Sequence, residues 1–275
     1  MRHTLCVIGL IAAASVLTPN AGAAVNCSND LLTGVYGLRI SGMLRTSLTG
    51  GVAGAGLTDA IAARLKAGAA GSNAAAGYAR LFMDGAGGVS GTSAASIVGI
   101  WSEGPVVGQY AVKEDCTFTL TLTDVAGGTQ HLEGVLTRTG DSASLLQTDT
   151  GTGVSGLLKR SNDFCDGSAL PANLKMQTSG AVGSSGPLNS VGLVEIGNDG
   201  GITAIESRFS NGAVSRVAST GTMTINADCT VSFSLTSTAD GSVAAYRGML
   251  VNGGRELMVV RSDAGAIVSG DAAVQ

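Results

Sequence analysis

The feature that most constrains the fold is a stretch that occurs twice. Residues 108–122 read GQYAVKEDCTFTLTL, and residues 221–235 read GTMTINADCTVSFSL. Each copy places Asp-Cys-Thr ahead of strict alternation between apolar and hydroxyl side chains. A period of two with β-branched residues is typical of a half-buried antiparallel strand. The chain is therefore predicted to contain two copies of one all-β unit.

Further landmarks recur in the same order and extend the duplication to the whole mature chain. Each copy opens with a cysteine and a strand that ends in Ser-Gly, continues through a glycine-rich turn to the Asp-Cys-Thr strand, and closes with an Asp and Gly motif. The closing motifs are residues 148–156 and 262–270. We predict a signal peptide over residues 1–24, a first unit over 25–160 and a second over 161–275.

Short strands with tight turns suit a chain with 42 glycines and only 13% charged residues. Eight sequential strands per copy favour an antiparallel up-and-down β-barrel, because closure removes exposed sheet edges. A two-sheet β-sandwich is the alternative, and periodicity alone does not separate the two. In the first copy we predict strands near residues 34–43, 78–84, 88–100, 105–113, 116–123, 129–138, 142–149 and 153–158.

One insertion, residues 46–72, distinguishes the first copy from the second. Thr58 is predicted to cap a short helix over residues 59–67, with Leu57, Ile61 and Leu65 along one face. So short a helix needs a surface to dock on. It is predicted either to cover one barrel mouth and contact a ligand or to be a tethered surface excursion.

The N-terminus has the pattern of a secretory signal, so a periplasmic or secreted protein is expected. Arg2 precedes the apolar residues 5–17, and Ala-Gly-Ala follows at 21–23. The apolar run is too short for a membrane span. The formal net charge of −4 argues against a nucleic-acid partner, which requires clustered Lys and Arg.

Loss of Cys6 with the signal leaves four cysteines, an even number that favours two disulfides in an oxidising compartment. Symmetry permits pairing within each copy or between the copies. The four residues are Cys27, Cys116, Cys165 and Cys229.

At the Asp-Cys-Thr strand and the turn at 253–257, the chain resembles a group of secreted, mostly uncharacterised bacterial β-proteins with motifs G-x-Y-x-V-x-x-D-C-T-G-T and G-G-x-E-[LI]. Phe118 and Val231 depart from the pattern after Asp-Cys-Thr, and Ser142 stands where the second copy has Glu256. Members of that group usually have one copy with its own cysteine pair. The resemblance therefore implies the bonds Cys27–Cys116 and Cys165–Cys229.

Few residues suggest catalysis. His131 is the one histidine of the mature chain and a candidate general base, with Glu133 or Asp124 to orient it. Arg39 is a further candidate if it faces a cavity. One histidine does not provide the usual zinc ligands, and residues 151–156 match G-x-G-x-x-G without the helix that a dinucleotide site requires. We therefore expect no metal and no cofactor.

Tyr36 and Tyr110 lie on strands whose apolar faces are predicted to point inward, where they either fill the core or line a ligand cavity. Two functions fit these features. The first is non-catalytic binding of a small, largely apolar ligand, or of an envelope or matrix partner. The second is a barrel enzyme of lyase, isomerase or cyclase type, which requires His131, Glu133 or an arginine inside a cavity.

Overall fold

The computed structural model describes residues 26–44, 73–124, 128–166, 173–183 and 186–275. The predicted signal peptide (1–24) and insertion (46–72) lie outside these residues. The same holds for the predicted helix and its three ligand-binding candidates, Leu57, Ile61 and Leu65.

The described chain forms two closed antiparallel barrels of eight strands each, which confirms the all-β class and favours the barrel over the sandwich. Neighbouring strands pair in sequence order, and β1 pairs with β8 to close the first barrel. In the second barrel β16 pairs with β9. The strands of the first barrel are β1 (Thr33–Leu44), β2 (Asn73–Asp84), β3 (Gly88–Ile97), β4 (Ile100–Val112), β5 (Thr117–Asp124), β6 (Thr129–Leu136), β7 (Ser142–Gln147) and β8 (Thr152–Arg160). Those of the second are β9 (Asn173–Val182), β10 (Pro187–Ile196), β11 (Gly201–Ser210), β12 (Ala213–Ile225), β13 (Thr230–Ser237), β14 (Val243–Val251), β15 (Glu256–Arg261) and β16 (Ala266–Val274).

One predicted strand break was misplaced. Residues 101–104 were predicted to separate the third and fourth strands, but the chain turns at Val98 and Gly99, and Ile97 pairs with Ile100. Both turn residues have positive φ, 48° and 77°, as a two-residue hairpin requires. A β-branched residue rarely adopts this conformation, so Val98 concealed the turn.

The Asp-Cys-Thr motif makes the same turn in both barrels. Asp115 accepts hydrogen bonds from the backbone N–H and the hydroxyl of Thr117, at 2.9 and 2.6 Å. Asp228 does the same with Thr230, at 3.1 and 2.6 Å. Cys116 and Cys229 have φ of 66° and 67°. The motif is a structural turn that starts β5 and β13.

Disulfides Cys27–Cys116 and Cys165–Cys229 join each barrel's N-terminal segment to this turn, as the resemblance implied. We call this the disulfide end of each barrel and the opposite one the far end. Two disulfides indicate an oxidising location outside the cytoplasm. No helix in the described ranges is long and apolar enough to cross a membrane.

The N-terminal segment also closes the disulfide end of the first barrel. It forms a 3-10 turn, Asn29–Leu31, held by the hydroxyls of two buried tyrosines. The Tyr36 hydroxyl lies 3.2 Å from the carbonyl of Leu31 and 3.0 Å from that of Gly140, and Tyr110 donates to the carbonyl of Leu32 at 2.8 Å. Burial raises the pKa of Tyr36 to about 12, so its hydroxyl remains a donor at neutral pH.

The outer face of β1 packs against β14 to β16 of the second barrel. Val35 joins Met249, Val251 and Met258 in a buried apolar cluster between the barrels. Gly37 allows the close approach, because a Cβ there would lie 2.6 Å from a side-chain methyl of Val251. Residues 257–260 are consequently buried on both faces of their strand.

Polar contacts surround this apolar cluster. Arg39 donates two hydrogen bonds to the carboxylate of Asp271, at 3.0 and 2.7 Å. Lys159 forms an ion pair with Glu256. The backbone N–H of Gly265 donates to the carbonyl of Gly99 at 2.8 Å. The two barrels are therefore joined by a packed contact in addition to the connecting chain.

Removing the second disulfide should destabilise its barrel strongly. The bond spans 64 residues, so the double substitution Cys165→Ser and Cys229→Ser should lower the free energy of unfolding by about 4 kcal/mol by the chain-entropy model. Urea denaturation followed by circular dichroism measures the loss, with the Cys27→Ser and Cys116→Ser pair in parallel. A loss below about 1 kcal/mol would show that the unfolded chain is conformationally restricted even without the disulfide.

Candidate functional site

A pocket of about 310 Å³ occupies the half of the first barrel nearer the far end. Inward-facing residues of β1 to β6 form its walls, and most of them are apolar or small. The lining residues are Leu38, Ile40, Gly77, Tyr78, Ala79, Ser93, Ala95, Ile97, Ser102, Glu103, Gly104, Val106, Leu122, Asp124, Gly128 and Gln130.

Small inward side chains leave this space empty. An eight-stranded barrel has an interior just wide enough for side chains to fill, so a run of small residues at inward positions produces a cavity. β2, β3 and β4 each supply such residues. They are Gly77, Ala79, Ser93, Ala95, Ser102 and Gly104.

Equivalent hydrogen bonds align the two barrels residue by residue. Tyr110 donates its backbone N–H to the carbonyl of Gly87 at 2.8 Å, and Met223 donates to Gly200 at the same distance. Positions on β3 therefore correspond to positions on β11 that are 113 residues later. By this register Ser93 corresponds to Glu206, and Ala95 to Arg208.

Those two larger side chains help to fill the second barrel where the first is hollow. Arg208 donates to Glu206 at 2.9 Å, and the Glu206 side chain is 2% exposed. In the described part of the chain, Glu206 Oε2 and Arg208 Nε are buried without a hydrogen-bond partner. The ring of Tyr246 stacks on Phe233 at 4.8 Å. Burial, followed by the charge of Glu206, raises the pKa of Tyr246 to about 12.

The pocket contains few polar groups. Asp124 ends β5 on the inward face, and its Oδ1 accepts the backbone N–H of Gly128 at 3.1 Å. Gln130, Ser93 and Ser102 add uncharged donors and acceptors. The Glu103 side chain instead points outward and accepts a hydrogen bond from Arg247 at 2.7 Å.

The predicted catalytic candidates lie outside this pocket. His131 and Glu133 are on the exposed outer face of β6. Arg39 is on the outer face of β1, paired with Asp271 of the second barrel. These three side chains do not meet, and none lines the cavity.

Tyr36 and Tyr110 also lie away from the pocket. Both are buried at the disulfide end, with hydroxyls bonded to backbone carbonyls. This position matches the core-filling alternative for these residues.

Of the residues that line the pocket, only Asp124 was singled out from the sequence, as a possible partner of His131; in the structure the ring of His131 contacts Asp149 instead. A signal was available in the repeat. Residues 91, 93 and 95 are small, whereas the positions of the second copy that correspond to 93 and 95 hold Glu206 and Arg208.

His131 does have a carboxylate partner, but the contact belongs to a turn that both barrels share. Its Nδ1 lies 2.7 Å from Oδ1 of Asp149. The other carboxylate oxygen, Oδ2, accepts hydrogen bonds from the backbone N–H of His131 and from the side-chain amide of Gln147. In the second barrel Asp263 accepts the backbone N–H of Ala245 and a hydrogen bond from Arg261. A histidine is therefore not needed for this turn.

Elsewhere in the described residues, no group of three or more His, Cys, Asp or Glu side chains is placed to hold a metal ion. The described lining of the first barrel is an apolar wall with one inward carboxylate and a few uncharged polar groups.

No protein-family model matches the chain, and no curated protein matches it. Among solved structures it is similar to kievitone hydratase from Nectria haematococca, with 8% identity, a TM-score of 0.26, and coverage of 92% of this chain and 94% of that one. It is also similar to isotype 1 transferrin binding protein B from serogroup B Neisseria meningitidis, with 9% identity, a TM-score of 0.24, and coverage of 73% and 66%. TM-scores of this size carry no inference about fold or function.

Asp149 should make stability depend on pH in acid. Burial opposes its ionisation, but hydrogen bonds from Gln147 and His131 outweigh burial and lower its pKa below the usual 3.8. A carboxyl whose pKa is lower in the folded state contributes stability above the unfolded pKa and loses it as pH falls through the folded one. The stability gap between the parent and Asp149→Asn should be full at pH 6 and shrink below about pH 3.8.

Urea denaturation at several pH values between 6 and 2.5 measures this gap. His131→Ala serves as the control, because it removes one donor to Asp149 and leaves the other two. A gap that stays constant down to the lowest pH would contradict the role assigned to the carboxylate.

Proposed function

We propose that the first barrel binds a small, largely apolar molecule in the pocket and does not transform it. The observation that supports this most directly is the contrast between the copies: the same inward positions hold Ser93 and Ala95 in one barrel and Glu206 and Arg208 in the other. A scaffold that can fill its interior leaves it empty in one copy. Its volume of about 310 Å³ lies at the lower end of the usual range for ligand sites.

Apolar burial is the force that would hold such a ligand. The walls present Leu38, Ile40, Ile97, Val106 and Leu122, which offer few competing hydrogen bonds. Each Å² of apolar surface removed from water contributes about 25 cal/mol, less the cost of ordering the ligand. A ligand with few polar atoms benefits most from this environment.

The protein is proposed to act outside the cytoplasm, in the periplasm or after secretion. The signal pattern over residues 1–24 supports export, and the two disulfides are compatible with it. An envelope or matrix component is the other partner class consistent with this location. We favour the small molecule because the pocket is enclosed by the barrel wall.

A lyase, isomerase or cyclase is less well supported. Such an enzyme needs an acid or base within hydrogen-bond reach of the bound substrate. His131 and Glu133 point to solvent, and Arg39 is bound to Asp271. Asp124 lines the pocket, but its Oδ1 caps a turn by accepting the N–H of Gly128. Non-catalytic binding requires none of them.

Filling the pocket should abolish binding without unfolding the barrel. Ala95→Met adds volume at a position where the second barrel accommodates Arg208, so the scaffold should accept it. The probe is N-phenyl-1-naphthylamine, a neutral dye whose emission rises in apolar surroundings. Its affinity should fall by at least about tenfold, with a melting temperature within a few degrees of the parent.

Thr92→Met is the matched control, because Thr92 is exposed on the outer face of the same strand. It should bind the dye as the parent does. Equal binding by Ala95→Met would place the dye elsewhere, for instance on the exposed pair Leu193 and Ile205, and would refute the proposed pocket.

His131→Ala distinguishes binding from catalysis. The side chain is exposed and lies on the opposite face of the barrel wall from the pocket, so dye affinity should match that of the parent within about twofold. Incubation with a ligand identified by mass spectrometry of the purified protein provides the second readout. Conversion of that ligand by the parent but not by His131→Ala would favour the enzyme instead.

A further inference from the structure

An apolar patch covers the outer face of three neighbouring strands of the second barrel. Leu193 on β10 pairs with Ile205 on β11, and Phe209 on β11 pairs with Val214 on β12. Val191 lies on the same face, two residues before Leu193. These five side chains, which we call the β10–β12 patch, are between 36% and 73% exposed. A contiguous exposed apolar patch usually marks an interaction site.

Matching strand pairs show which residues of the first barrel occupy the same positions. Gly42 and Gly180 end the Ser-Gly motifs that open the two copies. Gly42 pairs with Ala75 on β2, and Gly180 pairs with Leu188 on β10. Positions on β10 therefore lie 113 residues after those on β2, the same interval that relates β3 to β11 and β4 to β12.

Three of the patch positions correspond to residues of the first barrel that contact the second barrel. Arg80 and Ser96 each donate a side-chain hydrogen bond to a backbone carbonyl of the second barrel. The guanidinium carbon of Arg247 lies 5.7 Å from the centroid of the Trp101 ring. The patch is therefore the second barrel's counterpart of the face by which the first barrel contacts it. The counterparts of Arg80, Ser96 and Trp101 are Leu193, Phe209 and Val214.

The first barrel exposes a counterpart of the opposite side of this contact. Met249 on β14 and Val260 on β15 are buried on the outer face of the second barrel. The backbone N–H groups of Leu136 and Leu250 donate to the cysteine carbonyls of the two Asp-Cys-Thr turns, so positions on β14 lie 114 residues after those on β6. Strand pairing extends this interval to β7 and β15. The counterparts of Met249 and Val260 are Val135 and Leu146, which are 57% and 56% exposed.

A charge pair at the rim of the internal contact recurs on the two free faces with its signs reversed. Glu103 on β4 accepts a hydrogen bond from Arg247 on β14 at 2.7 Å. By the same intervals Glu103 corresponds to Arg216, and Arg247 corresponds to Glu133, both of which are exposed. Because both members change sign, the free face of the second barrel and the free face of the first remain complementary in charge.

We propose that the β10–β12 patch of one copy docks onto the outer face of β6 and β7 in the first barrel of a second copy, head to tail. Arg216 then lies opposite Glu133 of the second copy, as Glu103 lies opposite Arg247 within the chain. The two faces differ, so every copy retains one free face of each kind. Repetition of such a heterologous contact either closes a ring or continues as a filament.

The contact between copies differs from the internal one at β9. Asn173 and Lys175 stand there in place of Val35 and Gly37, since Gly180 corresponds to Gly42. The lysine side chain prevents the close approach that Gly37 allows. The apolar part of the contact is consequently carried by β10 to β12.

Sedimentation velocity of the full mature chain over a range of concentrations tests the association. The average mass of the parent should rise with concentration. Leu193→Glu places a charge in the patch and should raise the dissociation constant at least about tenfold. Val107→Glu is the matched control, because Val107 is 58% exposed on β4 outside both faces. It should associate as the parent does. A parent that stays monomeric up to about 1 mM would refute the proposal.

A charge exchange identifies the two faces. Arg216→Glu and Glu133→Arg should each weaken self-association at least about tenfold, because each places like charges opposite each other. In an equal mixture of the two variants, every mixed contact brings opposite charges together. The mixture should therefore associate with a dissociation constant within about threefold of the parent's. Misfolding of either variant cannot produce this recovery. Single variants that associate as the parent does, or a mixture that stays dissociated, would show that these are not the faces in contact.

Discussion

Closure of each eight-stranded sheet is the constraint on which the other features depend. Once β1 pairs with β8 and β9 with β16, every backbone edge is satisfied and the interior has a set width. The only variable left inside is the size of the inward side chains. The two copies share their turns and disulfides, yet one interior is filled by Glu206, Arg208 and Tyr246 and the other keeps a cavity. The two copies therefore share strand order, turns and disulfides, and differ in the side chains that point inward.

Local sequence signals were sufficient to predict most of the strands and the barrel architecture. Alternation predicted the strands because each barrel wall has one buried and one exposed face, and the Asp-Cys-Thr turn recurs because its hydrogen bonds are all local. The turn at Val98 escaped prediction since β-branched residues disfavour positive φ. It is tied to the second barrel through Gly99 and Gly265, a contact that no local pattern reveals.

The candidate site was much less predictable. Polar residues such as His131 attract attention in a sequence, but a cavity is made by residues that are small, and Ala95 or Gly104 has no chemical signature. Recognising them requires the register between copies and the direction of each side chain. Arg39 illustrates the opposite difficulty. Its partner Asp271 lies 232 residues away, so its structural role depends on how the barrels dock.

The contact between the copies has a mechanical consequence for the pocket. Strands β1 to β3, which form one wall of the cavity, are backed from outside by the second barrel through Gly37, through Ser96 bonded to the carbonyl of Ala266, and through Gly99. On the other side, the outward residues of β5 are partly exposed and His131 and Glu133 on β6 are exposed. We therefore expect the wall that the second barrel supports to move less on ligand binding than the wall that faces solvent. The second barrel thus supports one side of the cavity wall of the first.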